Sequence, residues 1–178
     1  VTHVGPVLNN ETPAAPIDLP WAANDTTPLV LVSYTTTEMG GPEKVQSALD
    51  GLADLDAHVV VTTGMAIDPA DLTIPENAHV VRYADHNAIL ARADLCVTHG
   101  GHGTMMRAFR HGVPMVVIPG FPHDQAPNAA MVQKMGAGLA LPGDATATAL
   151  KEAASSVLSD PAFSKKAKEQ AKAVQDWK

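Results

Sequence analysis

With 178 residues, 46% of them hydrophobic and 17% charged, the chain is long enough to bury the core of one ordinary domain. Its formal net charge of −7, with half of its 12 lysines and arginines after residue 150, excludes the basic surface that nucleic acid or an anionic membrane demands. No apolar run reaches the roughly 18 residues of a membrane span, and the single Cys96, inside "ADLCVTHG", excludes a disulfide within the chain and reads as a small core residue.

Residues 1–28 carry Pro6, Pro13, Pro16, Pro20 and Pro28 and few periodic apolar positions, the composition of an extended linker lying on a surface. The start, "VTHVGPVLNN", lacks both the charged-then-apolar form of a signal peptide and an initiator methionine. A cytoplasmic location and a piece of a longer protein are the expectations. An alternation then begins. "PLVLVS" is apolar and β-branched, a buried strand. "GPEKVQSALDGLADL" is a helix with Pro42 near its start, where a missing N–H costs nothing, and with Val45, Leu49 and Leu52 on one face. "AHVVVTT" and "AHVVRY" are strands, "DHNAILARA" a short helix capped by Asp85. "LCVTH" is a strand, "GTMMRAFRHG" a helix closed by Gly112, "PMVVIP" a strand, "DQAPNAAMVQKMGA" a helix and "GLAL" a strand. Two helices split near "SDPAF" end the chain, the run "KKAKEQAK" being the solvated face of the last. Strands that are apolar throughout need cover on both faces. The expected fold is therefore α/β, a Rossmann-like doubly wound, mainly parallel sheet with helices on both faces.

In such sheets ligands lie at the carboxyl ends of the strands, where loops lead into helix N-termini. His99 stands at such an end, as do Ser33, Tyr83 and Pro119. The glycines of "HGGHGT" allow close backbone approach and leave N–H groups at a helix start, a combination suited to a pyrophosphate. One glycine there has a purely structural explanation; three favour a ligand. Zinc is a poorer fit: His99 and His102 are separated by glycines rather than spaced as in "HExxH", and His111 lies a helix away. The "HGG" also resembles an esterase oxyanion loop, but no "GxSxG" elbow accompanies it. Neither "GxxxxGK[ST]" nor a complete "GxGxxG" is present, which removes the main support for a Walker-type NTPase or an ordinary dinucleotide site.

These residues also carry a family resemblance. "VGPV", "PLVLVSYTT" (for a family "VLVSLGT"), "RYADHNAIL" (for "WxPQxxLL"), "THGGHGT", "GVPMVVIP" and "DQAPNA" occur in that order over residues 4–145. Together they resemble the C-terminal, donor-binding half of GT-B fold glycosyltransferases of the UDP-glycosyltransferase superfamily, especially the bacterial natural-product enzymes. The resemblance implies an interdomain entry segment over residues 1–28 and a nucleotide-sugar donor-binding domain over 29–178. It places the base and ribose at Tyr83, Ala84 and His86, with Tyr83 in place of the stacking tryptophan. It gives the diphosphate to His99, Gly101, Gly103 and Thr104, with Thr36 across the cleft, and the hydroxyls of the donor sugar to Asp124 and Gln125. Asp124 also fits an ordinary helix N-cap. Two positions depart from the pattern: Arg107 stands where the family has a ribose-binding acid and fits either a phosphate contact or a solvent-facing helix position, and Thr35 replaces the glycine of "SLGT".

What the resemblance implies for function is an inverting sugar transfer from a UDP- or TDP-sugar to a small-molecule acceptor. The base that activates the acceptor hydroxyl comes from the N-terminal half, so no catalytic residue for transfer is expected within residues 1–178. No metal and no cofactor are expected; the nucleotide sugar is the donor substrate. The expected partner is an N-terminal acceptor-binding domain, in the same chain or as a separate subunit. A stand-alone nucleotide-sugar-binding subunit acting through such a partner is the second reading, and a domain with no ligand the third.

Overall fold

The computed structural model describes residues 17–22, 24–34, 41–121 and 124–176. Six strands form one sheet: β1 (Leu29–Ser33), β2 (His58–Thr62), β3 (Ala78–Val81), β4 (Leu95–Thr98), β5 (Met115–Val117) and β6 (Gly138–Ala140). Their spatial order is β3-β2-β1-β4-β5-β6, and every pairing is parallel. This is the doubly wound order, with its switch point between β1 and β4.

The strands are apolar throughout because each must satisfy two faces at once. In β1, Val30 and Val32 point to one side, where α1 (Gly41–Leu52) and α5 (Ala147–Ser159) pack Val45, Leu49, Leu52, Leu150 and Val157 against them. Leu29 and Leu31 point to the other, joined by Cys96, Met115 and Val117. That face is covered by α2 (His86–Leu90), α3 (His102–His111), α4 (Gln125–Lys134) and α6 (Pro161–Asp176). Cys96 is fully buried there, and burial pushes its thiol up to about 12. The lysines of "KKAKEQAK" lie on the outer side of α6 while Ala167 between them is fully buried.

Local signals set the helix ends. Pro42 occupies the first turn of α1. Gly112 closes α3 in the left-handed conformation, φ 68°, and its N–H and that of Val113 take up the last carbonyls. Asp85 caps α2, its carboxylate accepting the Asn87 N–H at 2.9 Å.

Residues 17–28 hold no helix or strand where they are described, yet they are anchored rather than merely laid on the surface. Ile17, Leu19 and Trp21 pack against the α3/α6-side core, and the Trp21 indole stacks on His58 with ring centroids 4.2 Å apart. The Asp25 carboxylate bonds the same imidazole at 2.9 Å. Proline content alone does not reveal such docking, which depends on where the sheet's amino ends lie. Among the described residues no helix is long and apolar enough to cross a membrane.

Candidate functional site

The register aligns Ser33 of β1 with Thr62 of β2 on one side and Thr98 of β4 on the other. All three are buried, so the apolar strands end together on a row of hydroxyls at the carboxyl edge of the sheet. Tyr34 and His99 leave the sheet next, on either side of the switch point. Thr35 and Thr36 lie outside the described residues.

The chain enters α3 through Gly100, which the fold requires, and Gly101, which the placement of His99 requires. Gly100 has φ +86°, and a Cβ there would stand 2.9 Å from Val117 Cγ1 and 3.1 Å from the Gln125 carbonyl oxygen. Its N–H donates to Thr98 Oγ1 at 3.4 Å, and its carbonyl accepts the Asn128 side-chain amide at 2.8 Å. A Cβ on Gly101 would fall 2.3 Å from His99 Nε2, so the bare backbone is what lets the imidazole lie over the helix start. Gly103 is different: a Cβ there would meet only the Arg107 guanidinium, at an ordinary 3.5 Å. Nothing among the described residues demands its absence. Gly101 is the N-cap of α3, which makes no side-chain cap hydrogen bond, so the first N–H groups of the helix are left for another acceptor. Thr104, half-buried, occupies the same first turn.

His99 is half-buried, and its Nδ1 is buried without a partner among the described residues. Burial lowers its proton affinity; the Ser33 carbonyl and the Asp124 carboxylate oppose the shift, and Lys44 of α1 adds to it. No hydrogen bond of ordinary geometry joins the Ser33 carbonyl to Nδ1.

Beside this helix start a cavity of about 200 Å³ opens between the ends of β1, β2 and β3 and the flank of α3, and Tyr83, Ala84 and His86 line it together with Ser33, Thr62 and Arg107. Tyr83 is 83% exposed, its ring committed to no core contact. His86 is fixed by a 3.0 Å hydrogen bond between its Nε2 and Thr62 Oγ1. Burial is the main reason its proton affinity is lowered; Arg107 adds to this and Asp85 opposes it.

On the far side of His99, Asp124 holds the N-cap position of α4 but makes no cap hydrogen bond, so its exposed carboxylate is not spent on the helix. Gln125 is only 3% exposed, and its Oε1 accepts the Gly120 N–H at 2.6 Å. That bond ties the β5–α4 loop to its helix and leaves the amide nitrogen as the donating end. The structure thus gathers Tyr83, Ala84 and His86 around one cavity, with His99, Gly101, Gly103 and Thr104 at the adjoining helix end and Asp124 beyond. Lys44, Thr62 and Asn128 were not singled out from the sequence. Thr62 carried a signal, since like Ser33 it is a hydroxyl ending an apolar strand; Asn128 carried one only as part of "DQAPNA". Among the described residues no group of three or more His, Cys, Asp or Glu side chains is placed to hold a metal ion.

Residues 46–175 match the family model of the erythromycin biosynthesis protein CIII-like C-terminal domain. The chain belongs to that family. The NDP-glycosyltransferase YjiC of Bacillus licheniformis is 35% identical to it over 136 residues, 75% of this chain and 34% of that protein. The calicheamicin glycosyltransferase CalG4 superposes with a TM-score of 0.83 at 30% identity, covering 98% of this chain and 43% of its own. The glycosyltransferase VinC, solved in complex with DTDP, superposes with a TM-score of 0.74 at 26% identity over 86% of this chain and 39% of its own. This CIII-like domain therefore spans about a third of the length of the curated relatives it matches, 34%, 39% and 32% in three of them. Its fold is that of the C-terminal half of GT-B natural-product glycosyltransferases, as the ordered motifs implied.

Proposed function

We propose that this domain binds a nucleoside-diphosphate sugar, a UDP- or TDP-sugar, as the donor half of an inverting glycosyltransferase. The observation that carries the reading is the uncapped start of α3 at the switch point of the sheet, with Gly103 bare for no reason among the described residues and the cavity of Tyr83 and His86 alongside. The relative solved with DTDP supports a nucleoside diphosphate as the ligand class.

In this reading Tyr83 offers its exposed ring to the base and His86 its imidazole edge to the ribose. The diphosphate accepts hydrogen bonds from the first N–H groups of α3, from Thr104 and from His99. Those fixed donors matter most as the bond to the sugar breaks, because the departing diphosphate gains charge that preorganised N–H groups stabilise without reorganisation. Asp124 accepts from hydroxyls of the sugar, and the Gln125 amide donates to them. The base that deprotonates the acceptor belongs to an acceptor-binding domain outside these residues. That the relatives named as transferases carry this domain within longer chains favours one continuous enzyme over a stand-alone binding subunit.

The test is calorimetric titration of the chain with UDP, TDP, GDP and their sugar conjugates. A pyrimidine diphosphate binding measurably is the expected result; no binding of any of them would refute the reading.

A further inference from the structure

Arg107 lies on the second turn of α3, four residues after Gly103 and on the same face. Helical side chains lean toward the N-terminus, and this one does: its Nη1 sits 3.5 Å from where a Gly103 Cβ would be, over the first turn. It is exposed and lines the cavity that holds Tyr83 and His86. The other arginine of that cavity, Arg82, is paired with Asp68, whereas Arg107 forms no hydrogen bond or ion pair among the described residues. The Asp85 carboxylate, which lines the same cavity, caps α2.

A cation held over a helix N-terminus has the wrong sign for stability, since the helix dipole and the orphan N–H groups already make that end positive. The site adds a guanidinium to it, and although the Asp85 carboxylate lines the same cavity, no ion pair joins the two among the described residues, so the fold gains no pairing from the arginine. It does give an anion a second set of donors, a planar fork that matches phosphate oxygens in two places. Position completes the case: Arg107 stands where the base cavity meets the diphosphate-binding helix start, so one side chain borders both.

We infer that Arg107 binds the diphosphate of the nucleotide directly and sets the domain's preference for nucleoside diphosphates over nucleosides. The inference rests on the nucleotide reading above and deepens it, because Arg107 stands where the family pattern has a ribose-binding acid.

The experiment is titration of the wild-type chain and of Arg107→Ala, Arg107→Lys and Arg92→Ala with uridine, UMP and UDP and with thymidine, TMP and TDP. Arg92 is an exposed arginine at the opposite, amino end of the sheet, so its removal controls for net charge. Arg107→Ala should weaken the diphosphates about tenfold and leave the nucleosides unchanged, with Arg107→Lys recovering part of the loss and Arg92→Ala losing little. If Arg107→Ala binds diphosphate and nucleoside in the wild-type ratio, the inference fails while the nucleotide reading stands. If the wild-type chain binds none of the six compounds, the nucleotide reading fails and the inference with it.

Discussion

His99 shows how one side chain is fixed from several directions: Gly101 makes room for its ring, Asp124 and Lys44 pull its charge in opposite senses, and Nδ1 is buried without a partner. Replacing it with alanine should cost about 1–3 kcal/mol of nucleoside-diphosphate binding, the worth of a charge-assisted or otherwise unpaired hydrogen bond, measured by calorimetry. A pH effect follows from the same burial. His86, His99 and His111 are all held below the ordinary histidine value of 6.5, chiefly by desolvation. As pH falls through that value the unfolded chain takes up protons that the folded chain refuses. Stability therefore declines from neutral pH downward and stops declining only once the folded imidazoles also protonate. Asp25 and Glu169 do not confound this window. His58 and Lys166 hold their carboxylates below the ordinary 3.8 and 4.5, so their contribution is lost only at lower pH. Urea midpoints at about pH 5.5 should lie below those at about pH 7.5, and His86→Gln should shrink the gap. Equal midpoints would show that these imidazoles titrate freely.

Among the elements, the β4–α3 turn holds a glycine that the fold needs and another, Gly103, that the proposed reading gives to the ligand. Gly100→Ala forces a side chain into the left-handed region and against Val117, and should destabilise the domain by about 1–3 kcal/mol in urea denaturation. Gly103→Ala meets no obstacle but a movable guanidinium, so its stability should be unchanged or raised by up to about 1 kcal/mol. The same methyl stands over the first turn of α3, and nucleotide affinity should fall. The opposite pairing, a destabilised Gly103→Ala that binds normally, would assign that glycine to the fold.

For the whole molecule, the polar groups of the candidate site among the described residues lie along one edge of one sheet, which makes a single wall. Sugar transfer needs the acceptor hydroxyl, its base and the anomeric carbon held in line, and such orientation supplies roughly 7–11 kcal/mol of the barrier. The chain alone should bind donor without transferring sugar to a phenolic acceptor, and joining it to the acceptor-binding half of a relative should restore transfer. Turnover by the lone chain at the rate of the joined enzyme would mean a base within residues 1–178.

The order and kind of the elements were legible because the parallel sheet demands short, wholly apolar, β-branched runs, and Pro42, Asp85 and Gly112 mark helix ends by local chemistry. The ordered motifs likewise disclosed the family before any contact was known. The assignment of Tyr83, Ala84 and His86 to the site came from that resemblance; in the folded chain the 3-2-1-4-5-6 strand order brings them beside Ser33, Thr62 and Arg107 around one cavity. Local pattern cannot encode that order, because any of these strands could pair with any other as far as its own residues go. Nor does sequence distinguish polar groups spent inside the protein from those left for a ligand. Gln125 and Asn128 turn part of their hydrogen-bonding capacity inward, onto Gly120 and Gly100. Arg107 and the first N–H groups of α3 do not, and only the packing of α4 and α2 around them decides the difference, since a hydrogen bond between distant segments exists only once the sheet has brought them together.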